Sequence, residues 1–164
     1  MTHEQAAQIP GSRRAAKILF AAFIATALTA FIWGFFVANK VRARAKQTDG
    51  ALRSIAWACL CYAQQGDGAW PRSEEAVIAA SASLWPCEAL VSAGTGCPQT
   101  SDEAMAGTVL PATAAEAFKI VGLEFSKNPS DAPHVNARGN PSGLGTLDLV
   151  NGWLTQYRPA HQTK

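Results

Sequence analysis

Between Lys17 and Lys40 the chain runs for 22 residues without a charged side chain. Residues 18–38 of that interval are almost all Ala, Ile, Leu, Phe and Thr. As a helix they span about 32 Å, which matches a bilayer core of about 30 Å. Lipid offers backbone groups no partners, so an isolated apolar run there must be helical. Trp33 falls near the C-terminal end, where an indole favours the interface. The apolar region of a secretory signal is only about 7–15 residues and is followed by small residues for cleavage. Here Asn39-Lys40-Val41-Arg42 follows instead. The sequence therefore predicts a basic tail over 1–17 and a retained transmembrane helix over 18–39. Ala22, Ala25, Thr26, Thr29 and Ala30 are small enough to let a second helix approach closely.

Charge divides the chain in the same place. Residues 1–46 hold seven Lys/Arg against the single acid Glu4, a net +6, whereas residues 47–164 hold seven against eleven acids, a net −4. Charged residues make up only 16% of the whole, against roughly a quarter in typical domains. These numbers exclude a disordered acidic tail, a highly charged coiled coil and a nucleic-acid-binding arm, since DNA would repel most of the acidic portion. The span is flanked by Arg13, Arg14 and Lys17 on one side and by Lys40, Arg42, Arg44, Lys46 and more distant Arg53 on the other. That near-balance leaves its orientation unset by charge.

Beyond the span a soluble domain is expected over 40–158, with a short tail at 159–164. Residues 41–65 contain one weak helix breaker, Gly50. On a helical wheel Val41, Ala45, Ile55, Ala56, Cys59 and Ala63 fall within about 60° of Leu52, which predicts a continuation of the membrane helix with one buried stripe. Trp57 and Cys61 lie one turn apart on the opposite face, where a second element or a partner chain could cover them. Gly66-Asp67-Gly68 and Pro71 end the helix, and Ser73-Glu74-Glu75 begins another that runs to about Leu84. The Pro-, Gly- and Ser-rich stretch 86–113 predicts a loop region with one short helix near 102–106, and 112–116 another turn of helix. Residues 118–125 are apolar and partly β-branched and predict a strand, 128–131 a turn, and 134–137 a second strand. A last helix is expected with Thr146 as its cap and Leu147, Val150, Trp153, Leu154 and Tyr157 inward.

The stretch 40–77 resembles the region that follows the membrane segment in type II secretion pseudopilins and related type IV pilin-like proteins. The residues that carry the resemblance are the basic exit from Lys40 to Lys46, then Leu52 and Ile55, then Tyr62-Ala63. The turn Gly66-Asp67-Gly68, Trp70-Pro71 and Ser73-Glu74-Glu75-Ala76-Val77 complete it. The resemblance implies an α+β fold in which a long N-terminal helix, half in the membrane, packs on a small antiparallel sheet. It places the chain in a bacterial inner membrane with the domain in the periplasm. Two features depart from that family. Gly11 is followed by Ser12-Arg13-Arg14 and not by an apolar stretch with Glu at its fifth position, and the acidic loop with which some members bind calcium is missing.

The candidate chemistry is sparse. Cys59 and Cys61 are about 200° apart on a helix and cannot easily share a metal. Cys87 and Cys97 flank a Gly-rich loop and, in an oxidising compartment, are candidates for a loop-closing disulfide. His134 sits in a turn-rich stretch. Glu74-Glu75 and Asp102-Glu103 lie where helix N-termini favour negative charge. The loop 139–146 is rich in glycine but lacks the spacing and the Lys-Ser/Thr ending of a phosphate cradle, so it reads as a turn. No catalytic residue, metal, cofactor, nucleic-acid or small-molecule partner is expected. The sequence predicts a non-enzymatic, single-pass membrane protein that contacts lipid and other membrane proteins or itself, in a secretion or pilus-type assembly. The competing reading is a single-helix accessory subunit of a larger, for example energy-transducing, membrane complex.

Overall fold

The fold was analysed on a computed structural model of the chain, which describes residues 11–66, 68–84, 96–111, 113–128 and 130–157. Five helices and two strands follow in the order α1 (Gly11–Gln65), α2 (Glu74–Leu84), α3 (Ser101–Met105), α4 (Ala114–Ile120), β1 (Gly122–Glu124), β2 (His134–Asn136) and α5 (Thr146–Gln156). The fold is mostly helical with a small antiparallel sheet, and so α+β. The chain separates into two compact units, Met1–Lys40 and Val41–Lys164.

In the first unit the side chains of α1 from Arg13 onward are exposed on every side. Phe31 is 74% exposed and Leu19 71%. The most apolar eighteen-residue window of the helix has a mean hydropathy of 2.1, and none of it is buried. By length and composition this helix is able to cross a membrane. The hydroxyls of Thr26 and Thr29 donate to the carbonyls of Ala22 and Ala25, both at 2.8 Å. They therefore present no unpaired donor to an apolar surrounding.

In the second unit the same helix is the centre of the core. Every residue from Ala51 to Cys61 is buried except half-buried Arg53. Three turns of helix are thus enclosed on all sides, and the single buried stripe is a misreading. The cause lies in composition: Leu52, Ile55, Ala56 and Cys59 are apolar on one side and Trp57, Ala58, Leu60 and Cys61 on the other, and a helix apolar all round is buried all round. Gly50 belongs to the same arrangement. A Cβ there would lie 1.9 Å from the carbonyl oxygen of Val109, so the segment after α3 rests directly on the α1 backbone.

The surrounding elements are fixed by local caps. Gly68, at φ 90°, donates to Ala63 O at 2.7 Å and closes α1. Ser73 Oγ accepts from Ala76 N at 3.1 Å at the start of α2. Thr100 and Thr113 cap α3 and α4, each accepting at 3.2 Å from the N–H of a glutamate three residues on. The cap at Thr113 explains why the strand expected over 118–125 is confined to 122–124, with 118–120 helical. With a capped start, Glu116 in its first turn and Lys119 in its last, α4 runs through Ile120 and leaves only three residues to β1. Thr146 is likewise not the cap of α5. Gly145, at φ 79°, occupies that position, and Thr146 is buried.

β1 and β2 pair antiparallel with Gly122 opposite Asn136, Leu123 opposite Val135 and Glu124 opposite His134. A two-stranded ribbon is marginal alone, and α5 supports this one through Asn151. Its Oδ1 accepts from Val135 N at 2.8 Å, and its Nδ2 donates to Val135 O at 3.0 Å and to Leu147 O at 2.9 Å. One side-chain amide thus satisfies the outer edge of β2 as a third strand would. Asn151→Leu leaves both Val135 groups unpaired, and we expect a loss of about 2 kcal/mol, read as a lowered midpoint in thermal unfolding. An unchanged midpoint would refute this role.

Arg138 ties the other side together. It is the one non-glycine residue with positive φ (47°) among the described residues. Its guanidinium donates to Phe118 O and pairs with Glu74, both at 2.7 Å. Asn140 Nδ2 donates to Ile120 O at 2.7 Å, so both side chains satisfy carbonyls at the end of α4.

Candidate functional site

The residues singled out in the sequence fall into two groups. Ala25, Thr26, Thr29 and Ala30, with Trp33 and Gly34, line one shallow, open groove along α1. Ala22 lies a turn earlier, its carbonyl engaged by Thr26. The small side chains thus share one side of the helix, together with exposed Trp33.

Trp57 and Cys61, offered as a partner surface, are not at the surface. They are 1% and 2% exposed, enclosed by the elements packed around α1. The Trp57 indole N–H is buried with no hydrogen-bond partner.

The Cys87–Cys97 bridge is also corrected. Cys97 is a free, buried thiol whose Sγ lies 3.4 Å from Trp153 O, turned into the core beneath α5. Cys87 lies outside the described residues. The disulfide-bonded cysteine among the described residues is Cys61. Cys59 is a free thiol, and complete burial pushes its pKa far up, so it stays protonated and unreactive.

The other candidates are engaged in structure. In the glycine-rich loop, the N–H of Gly143 donates to Asp49 Oδ1 at 2.8 Å. The loop is thereby held by a carboxylate of α1, which would repel a phosphate placed there. Glu74 pairs with Arg138, and Glu103 accepts from the N–H of Gln99 at 2.8 Å. His134 is exposed, across the sheet from Glu124, whose carboxylate accepts from Asn136 at 2.7 Å. Among the described residues no three His, Cys, Asp or Glu side chains converge as a metal site would require.

Arg53 is a residue whose role the sequence did not reveal. It was counted among the flanking charges of the membrane span. In the fold it is half-buried, donates to Ala104 O at 3.1 Å and Ala106 O at 3.3 Å, and lies 6.0 Å from the centre of the Trp153 ring. It therefore caps the C-terminal end of α3, where a cation is favoured. No local pattern signals this, because the partner carbonyls are about fifty residues away.

No known protein family, no curated protein and no solved structure matches this chain. The functional reading therefore rests on its own residues.

Proposed function

We propose that the chain is a single-pass membrane protein with a pilin-like extracytoplasmic domain, and that it works through protein–protein contacts in a secretion or pilus-type assembly. The observation that carries this reading is the contrast within α1. Its apolar residues before Lys40 are all exposed, while those after Thr48 are almost all enclosed. Leaving so much apolar surface in water is unfavourable at about 25 cal/mol per Å², and a bilayer removes that penalty. The disulfide at Cys61 supports an oxidising compartment for the domain. The small-residue groove on the membrane helix supports lateral association with another helix.

The test combines extraction and co-purification. The protein resists alkaline extraction from membranes. Replacement of Ala22, Ala25 or Thr29 by phenylalanine weakens recovery of its partners by roughly tenfold, as overpacking by 1–3 kcal/mol implies. The same change at exposed Ile24, on the opposite side of the helix, leaves recovery intact. Extraction at alkaline pH would overturn the anchor, and unchanged recovery would overturn the packing face. Stoichiometric recovery within an energy-transducing complex would favour the accessory-subunit reading.

A further inference from the structure

Building on the proposed membrane anchor, we infer that the Asp49–Gly50 end of the domain is a second, peripheral lipid-binding surface, in which an apolar rim and a basic collar engage the headgroup layer of an anionic bilayer. Two loops distant in sequence meet α1 at adjacent residues. The loop after α3 is seated on Gly50 through Val109, and the loop before α5 is held to Asp49 through Gly143. Each presents apolar side chains outward next to that attachment. Val109 is 55% exposed and Leu110 49%. Leu144, between Gly143 and Gly145, is 107% exposed. Apart from these three, Leu149 is the only large hydrophobic of the second unit, past Val41, described as strongly exposed.

The charge beside this rim fits the same occupant. Arg42, Arg44 and Lys46 are exposed on the two turns of α1 that lead to Asp49, and none makes an ion pair among the described residues. At 100° per residue, Arg42 and Lys46 point about 160–200° away from Arg44. A protein partner covers one side of a helix, whereas a headgroup layer surrounds it. The acid within four residues of the basic positions is Asp49, half-buried and bound to Gly143, and the acid within four residues of the apolar rim is exposed Asp148, in the first turn of α5. Apolar side chains beside exposed Lys and Arg form the pattern that lies in a membrane interface.

The test uses the full chain reconstituted in nanodiscs of phosphatidylcholine with and without phosphatidylglycerol. An environment-sensitive fluorophore is placed at L144C, at exposed K127C on the β1–β2 turn, and at L28C within the apolar run, with the labelled parent chain as background. We expect nitroxide-labelled lipids to quench the probe at position 144, with a blue-shifted emission, and to leave the one at 127 unaffected. With R42Q, R44Q and K46Q combined, the preference for phosphatidylglycerol falls about fivefold or more in low salt. If position 28 is quenched and 144 behaves like 127, the surface does not meet lipid and the anchor stands. If 144 is shielded from both lipid and aqueous quenchers, a protein covers the rim and the proposal is wrong. An unquenched position 28 removes the anchor and this surface together.

Discussion

Replacing Gly50 with alanine will destabilise the domain by about 3 kcal/mol, the upper part of the range for overpacked cores. The direction is informative because helix propensity predicts the opposite. Alanine in place of a mid-helix glycine ordinarily gains about 1 kcal/mol. Here the added methyl would stand 1.9 Å from the carbonyl oxygen of Val109 and 2.8 Å from its carbon. Both are backbone atoms, and the segment that carries them is fastened by Arg53 to the carbonyls of Ala104 and Ala106. It cannot retreat without breaking those bonds. For a domain of this size the midpoint falls by about 12 °C, measured by thermal unfolding of the detergent-solubilised chain. A midpoint equal to the parent's, or above it, would show that the loop is not seated on the helix.

Trp57→Ala will cost about 4 kcal/mol, within the range for deleting a buried aromatic, whereas Trp57→Phe will cost about 1 kcal/mol or less. The two values separate volume from polarity. Trp57 is 1% exposed, and its loss leaves a cavity at the centre of the core. Its indole N–H has no hydrogen-bond partner, so phenylalanine removes an unsatisfied donor as well as part of the ring. Relief of that donor offsets much of the lost packing. Equal costs for the two variants would mean that the nitrogen is bonded after all.

Much of the local structure was legible because local chemistry decides it. The apolar run, the capped start of α2 and the inward spacing of Val150, Trp153, Leu154 and Tyr157 all follow from neighbouring residues. The failures have a common cause. The one-stripe reading of residues 41–65 left Trp57 and Cys61 on an opposite face to be covered by a second element or a partner chain, and only the surrounding elements decide which. The strand expected at 118–125 is present only over 122–124, because the Thr113 cap and the favourable charges in α4 carry the helix through Ile120. Pairing Cys97 with Cys87 rested on their closeness in sequence, which says nothing of the direction of either side chain. Arg53 and Asn151 could not be read at all. Their partners are carbonyls and amides brought near by the fold, and backbone groups leave no trace in sequence.

The enclosure of α1 also bears on how the protein is made. Residues 51–63 leave the ribosome more than eighty positions ahead of Thr146, where the last helix that packs on them begins. At 5–20 residues per second, this apolar stretch waits roughly 4–17 s for α5. During translation it therefore needs shelter from a translocation channel, a chaperone or the membrane surface.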